Sequence, residues 1–511
     1  MSTGTSRGAD TADATVHDPR QRRAILVAVC LALMAVIASV SGLNVAQPQL
    51  AVALDASQGE VLWMINIYAV SLAALLLPLG AVGDRWGRRP VLLAGLAVFG
   101  LASAAAGLAP TTEVMLAARL LSGVGAAMIM PVTLAVITAT FPDEERSKAI
   151  GVWTAVAAGG GILGMYLSAL LVDVASWRWL FALPVVLVVA AVVTGLRTVP
   201  NSREHAGLPF DHIGALSSVV GMLALVLVLH EGPERGWGAP VTLLGLLVAV
   251  VSTAGFVGWE RRQDAPLLDV RLFRGRGLSS GSLSLLAVFG VQAGIFVVLF
   301  PYFQAVLGWS GLRSTLALMP MALLMMAGSG LAPRLAARAG ARATMASGIL
   351  LGAVGLGLMA SLVSVEGGYP SVLPGMLAMG LGMGLSMTPA TEAITSSLPR
   401  ERQGVASALN DVTRELGTAL GVALLGAVLT AGYRTNIDAH LDGVPPEVAD
   451  DAREGIANAV AAASGAGSLD EVLVRAAQES FVDGWQQAMW AGTVVMAILF
   501  VYVVVRGPQR E

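Results

Sequence analysis

Four ionisable residues, Arg119, Asp411, Arg414 and Glu415, stand inside long apolar stretches of this chain, where charge is costly and rarely idle. The last three fall within Leu409-Asn410-Asp411-Val412-Thr413-Arg414-Glu415-Leu416-Gly417, and their i, i+3 and i, i+4 spacing stacks them along one helix face. A carboxylate withheld from water binds a proton more readily, which reversible proton loading requires. The chemistry on offer is proton binding, with Glu415 the better site because it lies deeper, or an ion-paired cluster that satisfies itself near the inner mouth. Arg119 opens Arg119-Leu120-Leu121-Ser122-Gly123-Val124-Gly125, about two turns beyond Glu113. A guanidinium keeps its proton, so Arg119 would raise the energy of nearby protons and not carry them. The plainer alternative is an arginine snorkelling to an interface.

The elements that must hold these residues are membrane-spanning helices. The chain has 511 residues, 56% hydrophobic and 13% charged, with a mean hydropathy of +0.74. Soluble domains carry roughly 25% charged residues, so the composition is that of a polytopic membrane protein. Fourteen apolar segments can be read, among them 24–46, 61–79, 91–109, 404–429 and 485–505. A run of about 18 apolar residues suffices to cross the hydrocarbon core. Placing both ends inside puts 23 of the 31 Lys and Arg residues in the cytoplasm and six outside, with Arg119 and Arg414 within helices. The single cysteine, Cys30, excludes a disulfide framework. No phosphate-cradling loop, metal-ligand cluster or nucleophile elbow is present, which argues against an enzyme and against an ATP-driven pump. Residues 1–23 read as a disordered cytoplasmic tail. The acidic, alanine-rich stretch 432–484 predicts one or two short helices outside the membrane, closing before the last apolar run.

Between the second and third apolar runs lies Gly80-Ala81-Val82-Gly83-Asp84-Arg85-Trp86-Gly87-Arg88-Arg89-Pro90. It resembles the G-x-x-x-D-R-x-G-R-[RK] signature of the major facilitator superfamily. An internal repeat agrees: Gly125 to Pro131 leads to Phe141-Pro142-Asp143-Glu144-Glu145-Arg146, as Gly384 to Pro389 leads to Leu398-Pro399-Arg400-Glu401-Arg402, and Gly330, Arg334, Arg338, Gly340 and Arg342 echo the signature without its aspartate. The resemblance implies an all-α major facilitator fold with fourteen helices. It comprises six-helix bundles at 24–205 and 278–511, the second carrying the 432–484 loop, and an inserted helix pair at 206–277. The inserted pair resembles the fourteen-helix drug:proton antiporter branch.

That likeness implies a secondary exporter of hydrophobic or amphiphilic compounds such as antibiotics, driven by the proton gradient without a cofactor. It implies a monomer in a bacterial inner membrane, dealing with small molecules, protons and lipid and not with nucleic acid. Gly83, Asp84, Arg85 and Arg88 would form a conformational latch, Asp84 reaching a helix N-terminus of the other half, while Arg85 and Arg89 could equally anchor topology. Arg119 matches the R-x-x-x-G motif, whose arginine lines the cavity. Gly160 and Gly164 occupy the place of the fifth-helix packing motif, with Met165 where its proline belongs. Ser39 stands where the family carries an aspartate in the first helix. Asn44, Asn66, Tyr68, Met128, Met387 and Glu392 are candidate cavity residues. Two other readings stay open: an uncoupled exporter of a metabolite or lipid, suggested by Ser39 and Met165, and a non-transporting membrane sensor acting through the 432–484 loop.

Overall fold

The computed structural model describes residues 15–202, 210–442, 444–463 and 470–508. Among these, fourteen helical spans are long and apolar enough to cross a membrane. The chain opens with α1 (Pro19–Ala53), α2 (Gln58–Trp86), α3 (Arg88–Gly107), α4 (Thr112–Thr140), α5 (Asp143–Val174) and α6 (Ala182–Thr198). The inserted pair follows as α7 (His212–Arg235) and α8 (Pro240–Glu260), then α9 (Arg276–Pro301). The tenth span is broken into α10 (Gly311–Ala317) and α11 (Met319–Ala339), with Pro320 in the first turn of α11, where a missing N–H is harmless. Next come α12 (Ala341–Leu362), α13 (Gly368–Ser396) and α14 (Gln403–Asp438); the short α15 (Pro446–Glu454) and α16 (Ile456–Ala463) precede the last span, α17 (Asp470–Arg506).

Local chemistry sets the ends. Ser57 and Glu60 form a reciprocal capping box at α2, the Ser57 amide donating to Glu60 at 2.8 Å. At α1 the Asp18 carboxylate accepts from the Arg20 amide at 2.9 Å, and Pro19 is preorganised for the first turn. The helix therefore begins inside the segment expected as a disordered tail; residues 1–14 of that tail lie outside the described residues. Gly87, with φ +105°, turns α2 into α3, and Gly340, with φ +92°, turns α11 into α12. The same left-handed hinge thus sits at the signature and at its echo, and a side chain would be strained at either.

Within the expected 432–484 loop the flanking helices run on past the apolar segments. α14 continues to Asp438 and α17 starts at Asp470. Helical hydrogen bonding does not stop where apolar residues stop, and polar pairs sustain it: Arg475 bonds Glu479 one turn on at 2.8 Å. The extensions also pack, because a Cβ on Gly484 would lie 2.7 Å from the Leu429 carbonyl. Two short helices do form between them, tied down by Tyr433 Oη donating to the Ala452 carbonyl at 2.8 Å and by Arg453 pairing with Asp438 at 2.7 Å.

The apolar core falls mainly into one cluster built from α9 to α17 and two built from α1 to α6. Between membrane helices the apolar effect is weak, so contact relies on small residues that let backbones meet. α9 and α14 meet this way at Gly290 and Gly417, where a Cβ on Gly290 would fall 3.0 Å from the Gly417 carbonyl. A side chain at Gly421 would collide with the Gly290 backbone, whereas Gly426 has only Val297 nearby, at 3.9 Å. Gly421→Val should therefore cost at least about 1–3 kcal/mol through overpacking. Gly426→Val should be nearly silent, and thermal unfolding of the purified variants checks the contrast.

Candidate functional site

The signature turn closes one face of the molecule, the face that carries the arginine-rich turns. Helix α14 starts at Gln403 behind an Arg402 that offers its amides no side-chain cap. Asp84, from the end of α2, supplies it: Oδ1 accepts from the Gly404 amide at 2.8 Å and Oδ2 from the Val405 amide at 3.1 Å. A carboxylate there meets both orphan donors and the positive end of the helix dipole. Arg88, buried to 1% exposure, donates to Asp84 Oδ1 at 3.0 Å and to the Arg400 carbonyl at 3.3 Å. Close backbone approach is essential, since a Cβ on Gly80 would lie 2.6 Å from both the Gly404 carbonyl and the Ala408 Cβ. Gly83 is similarly tight against Val132, at 3.0 Å. Arg85 is exposed, and Arg89 donates to the Leu196 carbonyl at 2.6 Å. Arg88 forms an ion pair with Asp84.

Further bonds cross the same face. Arg400 reaches Asp143 at 3.2 Å, and Arg146 holds Asp143 from the neighbouring turn at 2.6 Å. Ser147 on α5 donates to Glu392 on α13. Glu392, expected as a cavity residue, is thus one partner in a bond between α5 and α13.

Farther in lies a polar centre. Arg119, 1% exposed, donates through Nε to the Met64 carbonyl at 3.1 Å and through one terminal nitrogen to Ser39 Oγ at 3.0 Å, with Cζ 4.5 Å from the centre of the Tyr68 ring. It is sequestered and not snorkelling. Ser39, where an aspartate was expected, gives it a neutral acceptor instead of a counter-ion. The Tyr68 hydroxyl is buried without a partner. Opposite, on α14, Arg414 lies 3.6 Å from Asp411 Oδ1, and Asn410 Nδ2 donates to the same oxygen at 3.2 Å. The Arg414 guanidinium stacks 4.5 Å from Phe289 of α9 and 5.6 Å from Trp153 of α5, so a charge on one half rests on a ring of the other.

The expected three-residue stack is only half realised. Asp411 is fully buried. Glu415, the deeper along the helix, is partly exposed, with no hydrogen bond and no ion pair within 4 Å among the described residues. Asp411 is thus the more enclosed of the two carboxylates, one turn from Glu415 on the same helix.

The remaining candidates separate. Gly160 and Gly164 do pack α5 on α1; their Cβ positions fall 2.7 Å from Met34 Sδ and 3.3 Å from Ala38 Cα. Met128, half-buried, has its Cβ close against Gly95 of α3, and Met387 is buried in the apolar core. Asn66 is half-buried. The side chain of Asn44 lies outside the described residues. Trp153, with Nε1 donating to Thr133 at 3.1 Å, and Phe289 were not anticipated. An aromatic in an apolar helix carries no signal until its cation is known.

Fourteen spans around a carboxylate-capped helix and a buried polar centre define a polytopic membrane transport protein. A family model described as Major Facilitator Superfamily matches residues 29–422, and the chain belongs to that superfamily. It is 30% identical over 487 residues to "Multidrug resistance protein Stp" of Mycobacterium tuberculosis, covering 93% of this chain and 90% of that protein. It is 33% identical over 453 residues to "Multidrug efflux pump LfrA" of Mycolicibacterium smegmatis, covering 88% and 89%. Against the tetracenomycin C resistance and export protein of Streptomyces glaucescens the identity is 33% over 409 residues, 80% and 76% of the two chains. Among solved structures, the human organic anion transporter MFSD10 superposes with a TM-score of 0.61 at 15% identity, covering 95% of this chain and all of that one. The xylose symporter XylE gives 0.59 at 14%, covering 96% of each. The protein is thus a multi-pass membrane transporter of that superfamily, and not an enzyme.

Asp84→Asn keeps the shape of the latch and removes its charge. The loss should be about 1–2 kcal/mol at the N-terminus of α14. Faster hydrogen exchange at the Gly404 and Val405 amides, read by mass spectrometry, is the expected sign.

Proposed function

We propose that the protein exports hydrophobic or amphiphilic drugs or antibiotics in exchange for protons. The observation that carries this is the set of buried ionisable groups within the helices: Asp411 beside Arg414 on α14, and Arg119 against the Tyr68 ring. The curated relatives named for multidrug resistance and efflux support the export of drugs.

In this reading the halves 24–205 and 278–511 rock about the centre, with the 206–277 pair as an insertion. Both termini lie in the cytoplasm, following the excess of arginine in the turns on their side. The Asp84 contact then closes the cytoplasmic mouth. A proton arriving from outside neutralises Glu415 or Asp411 and loosens Arg414 from its counter-ion. Arg119 stays charged and raises the energy of that proton, helping its release once the inner mouth opens. Ser39 leaves α1 without a carboxylate at this level, which disfavours multiply cationic substrates. The energy source is the proton gradient, with no cofactor, and the working unit in the bacterial plasma membrane is the monomer.

An uncoupled exporter of a metabolite or lipid is the second reading, favoured by the neutral Ser39 hydroxyl that holds Arg119.

Ethidium efflux from energised cells distinguishes the two. Wild-type efflux should stop on adding an uncoupler, and at least one of Glu415→Gln and Asp411→Asn should reduce it by about 100-fold or more, the usual worth of a positioned proton-transfer group. Efflux indifferent to uncoupler and to both substitutions would replace antiport by the uncoupled reading.

A further inference from the structure

Helix α14 carries a file of buried polar atoms that no group among the described residues satisfies. They are Gln403 Oε1, Ser407 Oγ, Asn410 Oδ1, Asp411 Oδ2 and Arg414 Nε. At 100° per residue these five positions share an arc of roughly 100°, and at 1.5 Å per residue they span roughly 16 Å. The file runs from the turn beside the Asp84 latch to the polar centre. Gln403, Ser407, Asn410 and Asp411 are each no more than 5% exposed.

The pattern within the file is selective. Gln403 donates its amide nitrogen to the carbonyls of Thr395 and Leu398, at 3.0 and 3.1 Å, yet its oxygen is left over. Asn410 likewise donates to Asp411 while its oxygen remains open. Ser407 does not turn its hydroxyl back on the preceding helical turn, as Thr413 does to the Leu409 carbonyl at 2.7 Å. Open acceptors thus recur along one face, with one open donor, Arg414 Nε, at its inner end. A buried polar group without a partner costs about 1–3 kcal/mol, so a row of them calls for a common partner. Water suits all five, because each molecule both donates and accepts and makes about three bonds in such sites.

We propose that this face of α14 is lined by ordered water and is the route by which protons pass between Asp411 and the cytoplasmic mouth. The role rests on the antiport reading above; the water does not. A proton leaving Asp411 Oδ2 moves to the adjacent water, and each further water takes one proton and releases another, while the amide oxygens of Asn410 and Gln403 only accept hydrogen bonds from that water. Ser407 relays in this way through a hydroxyl that stays neutral overall. Gln403 ends the route against the Asp84-capped turn, so breaking the latch would open the outlet. Gln403, Ser407 and Asn410 are positioning residues for the water and are never themselves ionised.

The test uses the full-length protein in lipid vesicles with its single cysteine removed by Cys30→Ala. Ser407→Cys is compared with Ala406→Cys, equally buried and one residue away on a dry part of the helix. A small water-soluble thiosulfonate should modify the Ser407→Cys variant rapidly and leave the Ala406→Cys variant almost unlabelled. Equal, slow labelling of both would overturn the wet route. In efflux, Ser407→Val should slow gradient-driven transport while Ser407→Thr restores it, with ethidium affinity unchanged in both. Full activity of Ser407→Val combined with Asn410→Leu would overturn the proton role. Efflux that ignores an uncoupler while the Ser407→Cys variant is still labelled would count against antiport alone and would still support the water.

Discussion

The carboxylate of Asp84 on the first amides of α14 is the contact on which the rest depends. A helix that begins inside a protein leaves donors that must be met, and α14 begins with no cap of its own. Asp84 meets two of them from another element and takes a third bond from Arg88. An anion removed from water is tolerated only when so fully bonded. The contact thereby joins α2, the turn into α3 and the start of α14, and it needs the bare backbones of Gly80 and Gly404 to form. The exposed ion pairs around it, such as Arg400 with Asp143, add direction more than energy.

The polar centre obeys the same limit with different means. Two arginines and two carboxylates are gathered where water is scarce, yet the arginines are held largely by neutral groups: a serine, a carbonyl and aromatic faces. Such partners are weaker than a bidentate carboxylate. Trp153 and Phe289 matter here because a stacked guanidinium is positioned without being neutralised.

Much of this was legible in the chain. The signature turn pointed Asp84 to a helix N-terminus of the other half, where it does cap α14, and Arg119 stood out because charge inside an apolar run has to be explained. Asp411 and Arg414 pair as their spacing requires. What reading along the chain cannot supply is lateral. Depth along α14 ranks Glu415 without saying which helix stands opposite it. An apolar side chain such as Met128 or Met387 gives no hint of whether it faces a void or a neighbour. The 432–484 loop was bounded by hydropathy, which reports where lipid ends and not where helical hydrogen bonds end.

The sequence by itself determined the number of spans, their alternation and the family, because hydrocarbon thickness, the cost of unpaired backbone groups and the siting of arginine all act locally along the chain. Tertiary structure alone decided which arginine holds Asp84, that Ser39 holds Arg119, that rings from two halves enclose Arg414, and that the open polar atoms of α14 form one file. The contacts of Arg119 and Arg414 are relations between helices far apart in the chain, and whether the polar atoms of α14 stay open depends on the helices packed against it. They follow from close approach and rotation about helix axes, which no single helix records.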